Sequence, residues 1–349
     1  MLTLTLGDLR QRARQFAVAM AGASIVFAMA LVMSGMSASF RNEVDATVAA
    51  MKADEFLVAD GASGPLTSFT PLPESTADDL AASAGVRADP VLVVPQAVRL
   101  GADRFRSVNM LGHRPGGLGT PTVDRGRPAQ EQGEAVADGR LGVGLGDQLS
   151  IADTTFRVVG VSDGLSFLGG IPNLYVTLSD AQHLAVGGQP LMSTVAVDGH
   201  IADVPQGLRR MSNAEVRADG LRVMSDAIES VDSTRLLMWA VAAVIVAGLM
   251  YVSAMERTRD FAVLKAMGAS SRYVYGSLAL QALFVSLGAV ALSILLAALI
   301  APFFALAIEV PRSAIAALPL VAIVVGLLSS LAGIRRAVGA DPAMAFGGQ

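Results

Sequence analysis

At 349 residues, 53% of them hydrophobic and only 16% charged, with a mean hydropathy of +0.54, the chain is too apolar for an ordinary soluble protein and belongs in a membrane. Its net charge is −4, and no nucleic-acid partner is expected. The absence of cysteine excludes disulfides, thiolate metal sites and a cysteine nucleophile together.

Arg10, Arg12 and Arg14 precede a first apolar run, residues 16–37, which has the ~20 residues needed to span a bilayer core. A cleaved signal peptide is the alternative, but the run exceeds the ~7–15 residues of a signal h-region, so a retained anchor is expected. Helical spacing continues through SFRNEVDATVAAMKADEF (39–56), where Phe40, Val44, Val48 and Met51 recur three or four apart, and predicts a stalk. A Pro/Ser/Thr stretch (61–76) interrupts it, and Ser75 is placed as the N-cap of a helix over 77–84. Strands are expected over 91–100, 104–111, 148–151, 155–161, 174–178 and 193–197, with Gly and Pro supplying the turns. Residues 211–234 then read as a helical second stalk leading into an apolar run at 236–253. Two more apolar runs follow, at 277–300 and 313–332. Together these describe a mixed α+β domain inserted between two stalks.

None of the four runs contains Asp, Glu, Lys, Arg or His, the groups that mark ion or proton paths at membrane depth. Gln281 is read as an interhelical hydrogen-bonding residue, and Trp239 as an interfacial anchor. The chain has no GxxxxGK[ST] phosphate loop, so its energy source lies elsewhere. GVGLGD (142–147) lacks the strand-before, helix-after context of a dinucleotide fingerprint and reads as a turn introducing a hairpin. His113, His183 and His200 share no ligand spacing and are read as surface or loop residues. Asp78 with Asp79, and Glu131 with Glu134, lie in polar segments and are read as solvated rather than as acid/base pairs.

The basic residues fix an orientation. Arg10, Arg12 and Arg14, then Arg257, Arg259, Lys265 and Arg272, then Arg335 and Arg336 all fall on one side of a four-span chain, which is therefore cytoplasmic. The inserted domain, where acids outnumber bases, is expected outside. On the cytoplasmic side, ERTRDFAVLKAMGAS (256–270) stands out. As a mere topology-fixing loop it would need the arginines but not Phe261, Val263, Leu264 and Met267, which recur at near-helical spacing before Gly268. An isolated helix of this length is marginal without a surface to pack on, which points to a partner groove. Lying in the lipid headgroups is the alternative, made less favourable by its mixed charge.

This segment resembles the signature of the FtsX, MacB and LolC group of ABC transporter permeases, roughly E-R-x-R-E-x-x-x-L-[KR]-A-[LM]-G-A-[ST]. Glu256, Arg257, Arg259, Leu264, Lys265, Ala266, Met267, Gly268, Ala269 and Ser270 match, with Asp260 in place of the usual Glu. The ending RRAVGADPAMAF (335–346) and the stretch 135–162, with its G-D turn and strand ending V-V-G, resemble the same group, as does the order of one helix, a large domain and three helices.

The resemblance implies a DevC-like bacterial permease subunit, non-enzymatic by itself and without a cofactor. It implies coupling to cytoplasmic ABC ATPase subunits through Glu256, Arg257, Arg259, Asp260, Phe261, Leu264, Lys265, Met267 and Gly268. A second permease copy, in a homodimer or heterodimer, is implied too, and small residues on the first helix (Ala19, Ala23, Ala30, Ser34) would permit close approach. Within the group, ATP-driven motion exports or extracts a substrate or controls a periplasmic or cell-wall partner. The expected fold is a membrane protein of four transmembrane α-helices with a large inserted α+β extracytoplasmic domain on helical stalks. The divisions are 1–37 (N-terminus and first span), 38–235 (domain and stalks), 236–254 (second span), 255–275 (coupling loop), 276–300 (third span), 301–312 (external loop), 313–333 (fourth span) and 334–349 (cytoplasmic tail). The alternatives are a membrane-anchored sensor or scaffold with an external ligand-binding domain, and an amino-acid (for example glutamine) ABC permease.

Overall fold

In the computed structural model, which describes residues 13–101, 103–256, 271–303 and 310–338, the first apolar run and the stalk form one unbroken helix, α1 (Ala13–Ala50). It ends in tightened turns, Met51 N donating to Val48 O and Lys52 N to Ala49 O, after which Lys52 adopts a left-handed backbone (φ 54°). The expected helix to residue 56 therefore stops early, and β1 (Glu55–Ala59) begins instead. The chain divides into two units, Phe40–Ala227 and the remainder, and α1 contributes to both.

Within Phe40–Ala227 the elements after β1 are β2 (Leu72–Pro73), α2 (Ser75–Ala84), β3 (Arg87–Leu100), β4 (Arg104–His113), β5 (Arg125–Gly126), β6 (Glu134–Asp138) and a 3-10 turn at Gly139–Leu141. They continue with β7 (Gln148–Ile151), β8 (Thr154–Ser162), β9 (Ser166–Phe167), β10 (Ile171–Thr177), α3 (Leu178–Val186), β11 (Leu191–Met192), β12 (Thr194–Asp198), β13 (Leu208–Ser212) and α4 (Asn213–Val223). Among the described residues the main sheet runs β13-β1-β12-β3-β4-β10-β6-β8-β5, with β10/β4 and β6/β8 parallel. Because β7 pairs with both β3 and β8, the path β3-β4-β10-β6-β8-β7 closes on itself. Leu92, Met110, Phe156, Leu174 and Val176 fill one core there.

The period-2 alternation of the strands sorts the remaining side chains. Phe56 and Val58 of β1, with Tyr175 of β10, pack under Val44, Val48 and Met51 of α1. Leu57 and Ala59 face the other way, against Ala77 and Leu80 of α2. The apolar stripe read along residues 40–51 is thus the docking face of the stalk.

Several local expectations are corrected. Ser75 is the first helical residue of α2, not its N-cap; Glu74 stands at the cap with helical dihedrals and no side-chain bond. Leu178 opens α3, where Thr177 caps Asp180 N, so the strand ends one residue sooner than expected. β6, fully buried and alanine-rich, lacks both alternation and β-branched enrichment, which hid it from the sequence. The second stalk is two helices: α4, opened by a Ser212/Glu215 capping box, and α5 (Ser225–Glu256), separated at Met224 (φ −97°, ψ 3°).

The other unit holds the start of α1, most of α5, α6 (Ser271–Ile300) and α7 (Arg312–Val338), the last with Pro319 inside it. By length and composition three helices among the described residues can cross a membrane, over Phe16–Ala50, Ser225–Leu249 and Ala279–Ile300; the apolar part of α7, Arg312–Leu328, is shorter. Ala23, Phe27 and Leu31 pack with Ala242, Val246, Ala282 and Ala289. Ala23 and Ala30 are buried within this chain, so these small residues serve helix approach here rather than standing free for a second copy. Gln281 is likewise fully buried, as expected for an interhelical position. Leu236, Val244, Leu295, Leu299 and Leu320 point outward, an apolar exterior suited to lipid.

Candidate functional site

Glu256 is the last residue of α5 and is exposed. Arg257, Arg259, Asp260, Phe261, Leu264, Lys265, Met267 and Gly268 lie outside the described residues, and α6 resumes at Ser271. The segment 257–270 is therefore the direct connection between two helices that contribute to one apolar cluster, through Val246 from the first and Ala282 and Ala289 from the second. At its other end α5 follows α4 after the single residue Met224.

Inside the Phe40–Ala227 unit, the stalk is locked to the sheet by a polar joint that sequence reading missed. Glu43 sits on the docking face of α1, 3% exposed, one turn after Phe40 and one before Thr47. Its Oε1 accepts from Arg140 Nη1 at 2.8 Å and Ser166 Oγ at 2.9 Å, and its Oε2 accepts from Gly170 N at 2.9 Å. Arg140 Nη1 also donates to Ser166 Oγ. One turn further on, Thr47 Oγ1 donates to Ser166 O at 3.2 Å, and Asn173 Nδ2 reaches Thr47 Oγ1 at 3.5 Å. A charge buried this deeply is tolerated only when paired and hydrogen-bonded, as here. Beside it Asp138, 1% exposed, accepts from Arg140 N at 2.7 Å, and burial pushes its carboxyl above the usual carboxylate range. The sequence did hold a signal: an acid and a threonine four apart, on the same helix face as Phe40, Val44 and Val48.

The two stalks also meet each other. Arg217 Nε of α4 lies 3.1 Å from Asp45 Oδ1 of α1, and a Cβ added at Gly220 would stand 3.0 Å from Val44 Cγ1. Gly220 thus allows the helices to approach.

The other candidates resolve differently. GVGLGD is a turn: Gly142 and Gly146 have positive φ, Asp147 accepts from Gly144 N, and the β7/β8 strand pair follows. His183 and His200 are exposed, the latter with Nδ1 2.6 Å from Glu55 Oε1, but the surface reading fails for His113. His113 is fully buried at the end of β4, with Nδ1 facing Arg114 O at 3.0 Å and Thr120 Oγ1 at 3.2 Å, and burial lowers its pKa. Asp78 is exposed and ion-paired with Arg114. Glu134 is buried, contrary to expectation, because Arg127 grips it with two nitrogens while Gln130 N and Glu131 N donate to it.

The Arg127 hydrogen bond brings the Glu134 pKa down to about 2. A depressed carboxyl stabilises the fold above its unfolded pKa, ~4.3, and that contribution is lost as pH falls toward 2. Glu134→Gln should therefore lower the melting temperature at pH 7 and shrink its further drop between pH 5 and pH 2.5; an unchanged acid limb in thermal melts would contradict this.

A cleft of about 290 Å³ opens beside Glu74, Arg114, Gln130, Thr177, Ser179 and Gln182. Its charged groups are spent on one another, Glu74 accepting from Arg114 at 2.7 Å and from Gln182 at 2.9 Å. Among the described residues no cluster of His, Cys, Asp and Glu could hold a metal.

Comparison with known proteins finds relatives over the full length of the chain. Residues 235–342 match the family "FtsX-like permease C-terminal", and residues 16–211 match the "MacB-like periplasmic core domain". A protein of Mycobacterium tuberculosis described as an uncharacterized ABC transporter permease is 39% identical over 349 residues, 100% of both chains. A second from that organism, with the same description, is 36% identical over 348 residues and also covers 100% of each. Among solved structures, the periplasmic region of MacB from Actinobacillus actinomycetemcomitans aligns with 47% of this chain and 91% of its own at 16% identity and TM-score 0.36.

Proposed function

The chain belongs to the FtsX-like, MacB-like ABC transporter permeases, and we propose that it transmits the work of a separate cytoplasmic ABC ATPase to its inserted domain. The observation that carries this is the FtsX-like match over 235–342, which takes in the segment 257–270 together with the helices on both sides of it. In this reading the ATPase engages Phe261, Leu264 and Met267 as apolar anchors, with Glu256, Arg257, Arg259, Asp260 and Lys265 around them and Gly268 ending the helix. ATP hydrolysis belongs to the partner, and this subunit needs no cofactor.

The topology is four spans with both termini cytoplasmic and the domain outside. Arginines before α1 and at 335 and 336 ask for an even number of crossings, which makes α7 the fourth. The permease acts with a second copy of itself or a sister subunit, meeting on outward-facing apolar helix surface rather than through Ala23 and Ala30. Its output is export or extraction of a substrate, or control of a periplasmic or cell-wall partner.

Motion travels through α5, which joins the ATPase-facing segment to α4, and through α4 to the domain. A flexible Gly/Ser insertion after Ser230, inside α5, tests this. Since the chain has no native cysteine, a single introduced one can carry a spin label on the domain. The insertion is expected to leave ATPase binding intact and abolish the ATP-dependent change in label-to-label distance between the two copies; an unaltered distance change would sink the stalk route.

A further inference from the structure

We propose that the tip of the β3/β4 hairpin docks on the anionic phosphates of the bilayer from which the domain rises, with Phe105 wedged among the headgroups. Register places the tip. Thr177 of β10 pairs with His113 and Asn173 with Asn109, while Asn173 lies beside Thr47 of α1 and Gly170 beside Glu43. Both strands therefore run away from the Phe40 end of α1, and β4 starts nearest to it. From Asn109 back to Arg104 the strand adds ~17 Å, whereas α1 from Thr47 back to Phe40 is only ~10 Å long. The hairpin reaches at least to the level of Phe40, the end at which the chain enters and leaves this unit, and the apolar run of α1 stops at residue 37.

The chemistry of the tip fits that place. Phe105 is 68% exposed, and cross-strand pairing sets it on one face with Arg99, while Arg104 and Arg106 take the other. All three arginines are exposed, and among the described residues none is ion-paired; Asp103 is the acid at the turn. An exposed phenylalanine alone would be unremarkable. Flanked by three unengaged guanidiniums in an acid-rich domain, it matches a surface that offers phosphate oxygens and an apolar boundary together. A neutral or acidic protein face offers only one of the two.

The proposal shares with the permease reading only the membrane embedding of α1, so ATPase co-purification should survive its failure. The test uses the full chain carrying Phe105→Trp and Trp239→Phe, reconstituted in nanodiscs with brominated acyl chains, of phosphatidylcholine with or without phosphatidylglycerol. Strong quenching in the anionic discs, weak quenching in the neutral ones, and loss of about fivefold in contact per arginine removed in Arg99→Gln, Arg104→Gln and Arg106→Gln are expected. Equal quenching in both discs overturns the anionic recognition. A blue-shifted but unquenched Trp means that a second copy or another protein covers the tip, and a water-exposed, unquenched Trp means that nothing does; either overturns the proposal. These residues are exposed, so unchanged thermal melts serve as the folding control.

Discussion

Replacing Phe261 and Leu264 together by Asp is expected to abolish co-purification with the cognate ABC ATPase, weakening binding by at least about a hundredfold, because each lost apolar anchor at an interface costs ~2 kcal/mol or more. The permease itself should remain folded, which an unchanged thermal melt of the detergent-solubilised variant checks. Arg257→Ala or Lys265→Ala should act more mildly and mainly on the association rate and its salt dependence, as rim charges do. The measurement is pull-down and calorimetric titration of the detergent-solubilised permease with the ATPase. Binding unaffected by the double Asp variant would remove the segment from the interface and revive the scaffold reading, in which the loop recruits some other cytoplasmic protein.

At the other end of the transmission, Glu43→Ala should strand the Arg140 guanidinium, Ser166 Oγ and Gly170 N without their acceptor. Breaking a buried pair from one side costs ~3–5 kcal/mol, which should appear as a large fall in the melting temperature of the domain. Glu43→Gln keeps an acceptor oxygen and should cost less. The informative variant is the double Glu43→Leu/Arg140→Met, for which stability should largely return, because apolar replacement of a whole buried ion pair is often near neutral. If the joint transmits motion, this stable double variant still fails to move its domain in the spin-label distance experiment. Recovery of motion along with stability would reduce the joint to a structural role.

Much of the helical architecture was legible because an apolar run acts independently of tertiary context, and each of the four runs lies in a helix. The stalk stripe at Phe40, Val44, Val48 and Met51 read correctly for the same reason: a 3.6-residue period survives wherever one face of a helix is covered. What failed were elements whose sequence is set by contacts far along the chain. β6 is all Ala and Val between two acids because it is covered on both faces, and Glu134 looks like a solvated residue until Arg127 is folded over it. The early end of α1 depends on Lys52 entering a left-handed turn that no local glycine announced. Glu43 was passed over although its stripe was seen, because an acid beside an apolar stripe is ordinarily a boundary residue; only the arrival of Arg140, from the 3-10 turn after β6, makes it a joint.

Among the described residues the main path of the sheet ends at β13 and at β5. One is five residues long and bears Arg209 and Arg210; the other is two residues long and bears Arg125. Short, charged margins resist edge-to-edge pairing. Two such domains brought side by side would find no long, flat edge on which to zip into a continuous sheet, so the fold guards itself against a trap in which copies lock together through their backbones.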